Sequence, residues 1–164
     1  MKVEQTDIEE TSVEQRLLDF NITLPEPADI THLPFASGII VDNLVYLSGQ
    51  TAHVEGKLKY SGTVGSAVTV NQAQEAAEAC ILNLIATLKK MTGDLNKVKR
   101  IVKLNGYVAS EKDFTDQPAV INAASVLLNK VFGVSNQHAR AAIGVAALPG
   151  GTPVEIDLVV ELHK

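Results

Sequence analysis

The chain lacks tryptophan altogether, is only 4% aromatic and has a single cysteine. Without large rings its core has to be built from Val, Ile, Leu and Ala. One thiol, Cys80, excludes an intrachain disulfide and is consistent with a reducing compartment. The four histidines (His32, His53, His138 and His163) show no ligand spacing, so no metal site is expected. No apolar run approaches the roughly 18 residues that a membrane helix needs. Residues 1–15 are polar and acidic, unlike a secretory leader, which makes the cytoplasm the expected location. Positive charge is also scarce. The net charge is −5 and no extended Lys/Arg track exists, which argues against nucleic acid as the main partner.

What is present suits one domain. A chain of 164 residues buries about 70% of its unfolded surface on folding. Residues 1–10 read as unstructured. Ser12 and Gln15 have the spacing of a capping box and predict a short helix from Val13 to about Phe20. Pro25, Pro27 and Pro34 keep the next stretch extended. Residues 1–32 thus read as an N-terminal extension to a domain spanning 33–164. Two β-rich runs, Gly38–Val41 and Leu44–Gln50, flank Asp42-Asn43 and predict a hairpin. Residues 51–68 read as a long loop with one short strand near Leu58 to Tyr60. Thr69 and Gln72 repeat the capping-box spacing. The helix that follows carries Ala73, Ala76, Ala77, Cys80, Ile81, Leu84, Ile85 and Leu88 at three- and four-residue intervals, and Gly93 ends it. A strand over Arg100–Ser110 contains Gly106 as a bulge or close-contact point, and the Tyr107 hydroxyl reads as a sheet-edge feature. Asp116 and Pro118 open a second helix that runs to about Phe132.

The C-terminal stretch from His138 to Leu162 is the most patterned. Val154, Ile156, Leu158, Val160 and Leu162 alternate with Glu155, Asp157, Val159 and Glu161. Ala141, Ile143, Val145 and Ala147 alternate with Arg140, Ala142, Gly144 and Ala146. Leu148-Pro149-Gly150-Gly151 lies between the two runs, which therefore read as a terminal hairpin. The fold class is α+β: a mixed sheet with two helices on one face. The other face, carrying Ala142, Gly144, Ala146 and Val159, is too apolar to stay bare, so a closed homo-oligomer is expected. In a hairpin turning at 149–152, Ala146 lies opposite Glu155 and Arg140 falls on the order of 20 Å from Glu155. A small ligand touched by both residues then requires two subunits.

Arg140 stands alone among Ala and Gly, with room for a carboxylate. That carboxylate belongs either to an interface salt bridge or to a ligand. Glu155 is either the partner of such an Arg or a group that orients water. Ser48 and Gly49 either end a strand or meet a ligand. Asn122 is either a surface and capping residue or part of a site.

Tyr46-Leu47-Ser48-Gly49-Gln50, Asn122, Arg140, Leu148-Pro149 and Val154-Glu155-Ile156 together resemble the Rid family of reactive intermediate deaminases. The family is also called YjgF-like and carries an older endoribonuclease L-PSP label. The resemblance spans about residues 33–162. It implies a chorismate-mutase-like fold, a homotrimer, and cofactor-free sites between subunits. It also implies that Arg140 holds the carboxylate of a 2-imino or enamine acid, with the Gly49 amide assisting, while Glu155 positions the water that yields a 2-keto acid and ammonia. Two positions depart from the family pattern. Phe35 stands where a Tyr is usual, and Ala142 where a Cys is frequent. Both line the expected substrate site, so they point to a different or narrower substrate. Three functions follow in order: imine hydrolysis, non-catalytic sensing of small carboxylates through Arg140, and RNA cleavage. The last is disfavoured by the absence of a basic track with aromatic platforms.

Overall fold

The computed structural model describes residues 11–133 and 137–164. Residues 1–10, expected to be unstructured, and part of the loop before His138 lie outside the described residues. The first helix, α1, is Val13–Asp19, and Ser12 Oγ accepts from the Gln15 amide at 3.1 Å. The reciprocal arm of that box is not made, because the Gln15 side chain donates to Asp19 Oδ1 instead (2.8 Å). Val13 and Leu17 of α1 are buried in the main core, and Ile22 and Leu24 of the following extended stretch pack against it.

The expected hairpin is present as β1 (Gly38–Val41) and β2 (Leu44–Thr51), with Val41 opposite Leu44. A small ribbon, β3 (His53–Val54) with β4 (Lys57–Leu58), follows. The long helix α2 is Val70–Thr92. It opens on a complete Thr69/Gln72 capping box and closes on Gly93, whose φ of 78° suits a residue without Cβ. Then come β5 (Val98–Ala109), α3 (Gln117–Phe132), β6 (Ala139–Val145) and β7 (Val154–Leu162). Asp116 precedes α3 but makes no side-chain cap.

The five-stranded sheet has the order β1-β2-β7-β5-β6. The terminal hairpin is therefore not formed. β6 pairs parallel to β5, and β7 pairs antiparallel to β5 on its other side. Leu104 of β5 faces both Arg140 and Leu158. The Leu148–Gly151 turn does use left-handed backbone (Gly150 φ 64°, Gly151 φ 81°), but it carries the chain across β5 rather than beside β6. Tyr107 consequently sits on an interior strand, not at an edge.

Helices α2 and α3 pack on one face of the sheet, over Val45, Leu47, Ile101, Leu104, Val108, Ile156, Leu158 and Val160. Close packing there needs Gly106, since a Cβ on it would come within 2.6–3.0 Å of three atoms of Ile121. A second correction follows from the register. Ala142 is opposite Gly106 and Gly144 opposite Val108, so both lie on the helix-covered side. The uncovered face instead presents Ile143 beside Tyr107, with Tyr46, Ile39 and Val159, and Ile39, Tyr46 and Ile143 are all exposed. Its apolar character stands and Val159 lies on it as expected, but Ile39, Tyr46 and Ile143 take the place of Ala142 and Gly144.

Candidate functional site

A bulge shapes the first group of residues. Leu47 faces Leu158 and Gln50 faces Ile156, so Ser48 and Gly49 together oppose Asp157 alone. Ser48 is fixed twice to the stretch before β1: its amide donates to Ser37 O at 2.9 Å and its Oγ to Ala36 O at 2.6 Å. The exposed Phe35 directly precedes this tethered Ala36-Ser37 pair in the sequence. Glu155 leans over Gly49, where an added Cβ would collide with Glu155 Oε1. Ser48, Gly49 and Glu155 thus form one cluster around the bulge, and Phe35 flanks the segment that Ser48 holds.

The Glu155 carboxyl sits on the uncovered face between Thr51 of β2 and Tyr107 of β5. Burial, and secondly the charge of Asp157, raise its pKa above the ordinary carboxylate range. Asp157 is held by two donors, Asn105 Nδ2 at 2.8 Å and the Tyr107 hydroxyl at 3.2 Å. Burial, then Asp157, raises the Tyr107 pKa too. On the other side of the sheet, burial keeps the Cys80 thiol protonated, and it donates to Val154 O at 3.5 Å; it is a core residue.

Arg140 belongs to a second cluster. It projects from the edge strand β6 towards α3, where its Nη1 donates to Asn122 Oδ1 (2.7 Å) and Ser125 Oγ (3.3 Å). Both acceptors are neutral, and among the described residues no carboxylate forms an ion pair with it. Ala142 lies two residues along the same side of β6. Asn122 and Ser125 are three apart, hence neighbours on one helix face. That spacing was the available signal for Ser125. The i,i+2 spacing of Asp157 from Glu155 was the signal for Asp157.

The two clusters do not meet in one chain. On β5, Arg140 is opposite residue 104 and Glu155 opposite residue 107, on different flanks and different faces. The offset is about 10 Å along the strands and about 10 Å across them. The hairpin distance of about 20 Å is thereby replaced, and Ala146 is not opposite Glu155.

The molecule is a mixed α+β protein with a carboxylate leaning over a bulge on one sheet face and an oriented guanidinium at a sheet edge. This is the architecture of a small chorismate-mutase-like protein. The family model described as "YjgF/chorismate_mutase-like, putative endoribonuclease" matches residues 14–162, and the chain belongs to that family. It is 42% identical to Protein TCP17 of Trypanosoma cruzi, over 80% of this chain and 88% of that protein. It is 32% identical to the human 2-iminobutanoate/2-iminopropanoate deaminase, over 77% and 78%. The crystal structure of Agrobacterium tumefaciens Atu1372 superposes with a TM-score of 0.84 at 44% identity, covering 92% of each chain. RidA from a Psychrobacter species gives 0.54 at 26% identity, covering 84% of this chain and 94% of that one.

Proposed function

We propose that the protein hydrolyses 2-imino acids, or their enamine tautomers, to 2-keto acids and ammonia at a cleft between subunits of a homotrimer. The observation that carries this reading is Arg140: a guanidinium oriented by neutral partners, with no carboxylate paired to it among the described residues, at an open sheet edge. A planar fork of donors grips a substrate carboxylate through two parallel bonds and so fixes its plane. Glu155 and the Gly49 amide of a neighbouring subunit complete the site. Glu155 takes a proton from water as its oxygen adds to the C=N carbon. It returns that proton to nitrogen, then carries the hydroxyl proton of the resulting carbinolamine to the same nitrogen, so that the C–N bond breaks with NH3 as the leaving group while the carbonyl forms. Phe35 and Ala142 wall the pocket without adding polar side-chain groups, which favours substrates with apolar side chains. The uncovered apolar face supports the trimer, since burying it requires other copies of the chain.

The test is release of keto acid and ammonia from freshly generated 2-imino acids. Wild type is expected to accelerate it, Glu155→Gln to abolish it, and Arg140→Ala to lose about 10²-fold or more in kcat/KM, as two charge-assisted bonds disappear. Wild-type binding of 2-keto acids without turnover indicates a carboxylate sensor instead. RNA cleavage surviving Arg140→Ala would identify a contaminant.

Asp157 supplies a pH signature. The base form of Glu155 is lost as pH falls through its raised pKa. Asp157→Asn removes a neighbouring negative charge and is expected to move the acid limb of the kcat/KM profile to lower pH. An unmoved limb assigns that limb to another group.

A further inference from the structure

Imine hydrolysis at neutral pH draws on bulk solvent for a proton. Water supplies two hydrogens to nitrogen, one on addition and one on collapse, which yields NH3. Departure as NH4+ takes a third from outside the site. Glu155 is half-buried, on the face that the proposed trimer covers, and the described residues give its carboxylate no hydrogen-bond donor. A proton therefore needs a path to it.

We propose that Thr51 and His53 form a proton relay from the solvent-facing rim of the site to Glu155, an inference that rests on the deaminase reading above. Thr51 is the direct cross-strand partner of Glu155, so their side chains emerge on one face with Cβ atoms about 5 Å apart. Thr51 Oγ1 and His53 Nδ1 are 2.7 Å apart. His53 is exposed, so its second ring nitrogen exchanges with solvent. The backbone between them is pinned. Asn83 of α2 donates from one Nδ2 to both Thr51 O (3.1 Å) and His53 O (2.9 Å). The fully buried Ala52 lies between, its amide donating to Thr152 Oγ1 at 3.2 Å.

A hydroxyl both donates and accepts, so it can hand one proton towards Glu155 while receiving another from the imidazole. The net transfer is a single proton from solvent to the Glu155 carboxylate, directly from Thr51 or through one water. Glu155 passes that proton to the departing ammonia, which leaves as NH4+, so no group in the chain is left changed once the imidazole has taken a proton back from solvent. Titratable groups on adjoining elements include Asp157 on β7, Tyr107 on β5, Cys80 on α2, Glu55, Lys57 and Lys59 around the β3–β4 turn, and Glu75 of α2, which is held by Lys59 and Tyr60. Among the described residues none of them bonds to His53, and Asp157 and Tyr107 are engaged with each other.

The experiment compares wild type, Glu155→Gln, Thr51→Val, His53→Ala and His53→Gln on one imino acid, with and without added imidazole. His53→Ala and Thr51→Val are expected to lower kcat on the order of tenfold, less than a full general acid–base group supplies, with KM little changed. Imidazole should restore His53→Ala and leave Thr51→Val low. His53→Gln keeps a hydrogen-bonding side chain but does not titrate, so it should retain the wild-type melting temperature and still be slow. Full activity of His53→Ala, or a loss that imidazole does not restore, overturns the relay alone. A wild type without turnover overturns the deaminase reading and the relay with it.

Discussion

Co-refolded mixtures of Arg140→Ala and Glu155→Gln chains, each inactive by itself, are expected to regain about a quarter of wild-type activity, as random assembly of a symmetric trimer dictates. Each proposed site takes its Glu155 from one subunit and its Arg140 from the next. In an equal mixture, half the subunits have an intact Glu155 and half an intact Arg140. A functional site needs one of each in the right order. The basis is the register of β5, which places Arg140 and Glu155 on opposite flanks and faces of the same strand. Titrating one variant against the other should give a maximum at equal amounts. Sites built within one chain predict no recovery at any ratio, so an inactive mixture of demonstrably mixed trimers rejects the shared site.

Gly49→Ala is expected to lower kcat/KM by about 10²-fold, the scale on which displacing a catalytic group by roughly 1 Å is felt. The added methyl would meet Glu155 Oε1, with Cδ and Cγ at 3.2 and 3.3 Å, so the carboxylate has to swing away from the bulge. Gly49 is exposed and its backbone is not left-handed, so the fold itself should tolerate alanine. Activity should therefore fall while the melting temperature stays nearly constant. Shortening the acid should relieve the collision, making Gly49→Ala/Glu155→Asp more active than Gly49→Ala. Wild-type rates in Gly49→Ala would show that the position of Glu155 over the bulge is unimportant.

Much of the fold could be read from local chemistry. The α2 stripe, its Thr69/Gln72 box and its Gly93 terminus all act within a few residues, and all three occur as expected. The β1–β2 hairpin likewise follows from Asp42-Asn43 between two apolar runs. The β6–β7 pairing failed for a physical reason. Pro149-Gly150-Gly151 marks a reversal but does not choose the strand that lies alongside. Five of the seven residues of β6 are Ala, Gly or Val, whose small side chains carry little partner information. The long β5 takes both strands, one on each flank, with α3 as the crossover that parallel pairing demands. The site was legible in part. Residue types pointed to Ser48, Gly49, Asn122, Arg140 and Glu155. The bulge that seats Glu155, the Asn105–Asp157–Tyr107 group and the Thr51–His53 contact depend on cross-strand register, which a linear pattern does not encode.

The strand order also dictates when the molecule can come into being. β2 and β5 are not paired with each other; both are joined through β7, which pairs Val45 with Val160 and Ile101 with the same Val160. During synthesis the ribosome releases the β1–β2 hairpin, α2 and the β5–α3–β6 unit as fragments of an unclosed sheet. Among these elements β7, the segment that joins the others, emerges after them, and it brings Glu155 with it. Non-local closure of this kind is slow relative to helix formation. Until β7 is available, the edges of β2 and β5 that it pairs with have no partner strand, and the site has no Glu155.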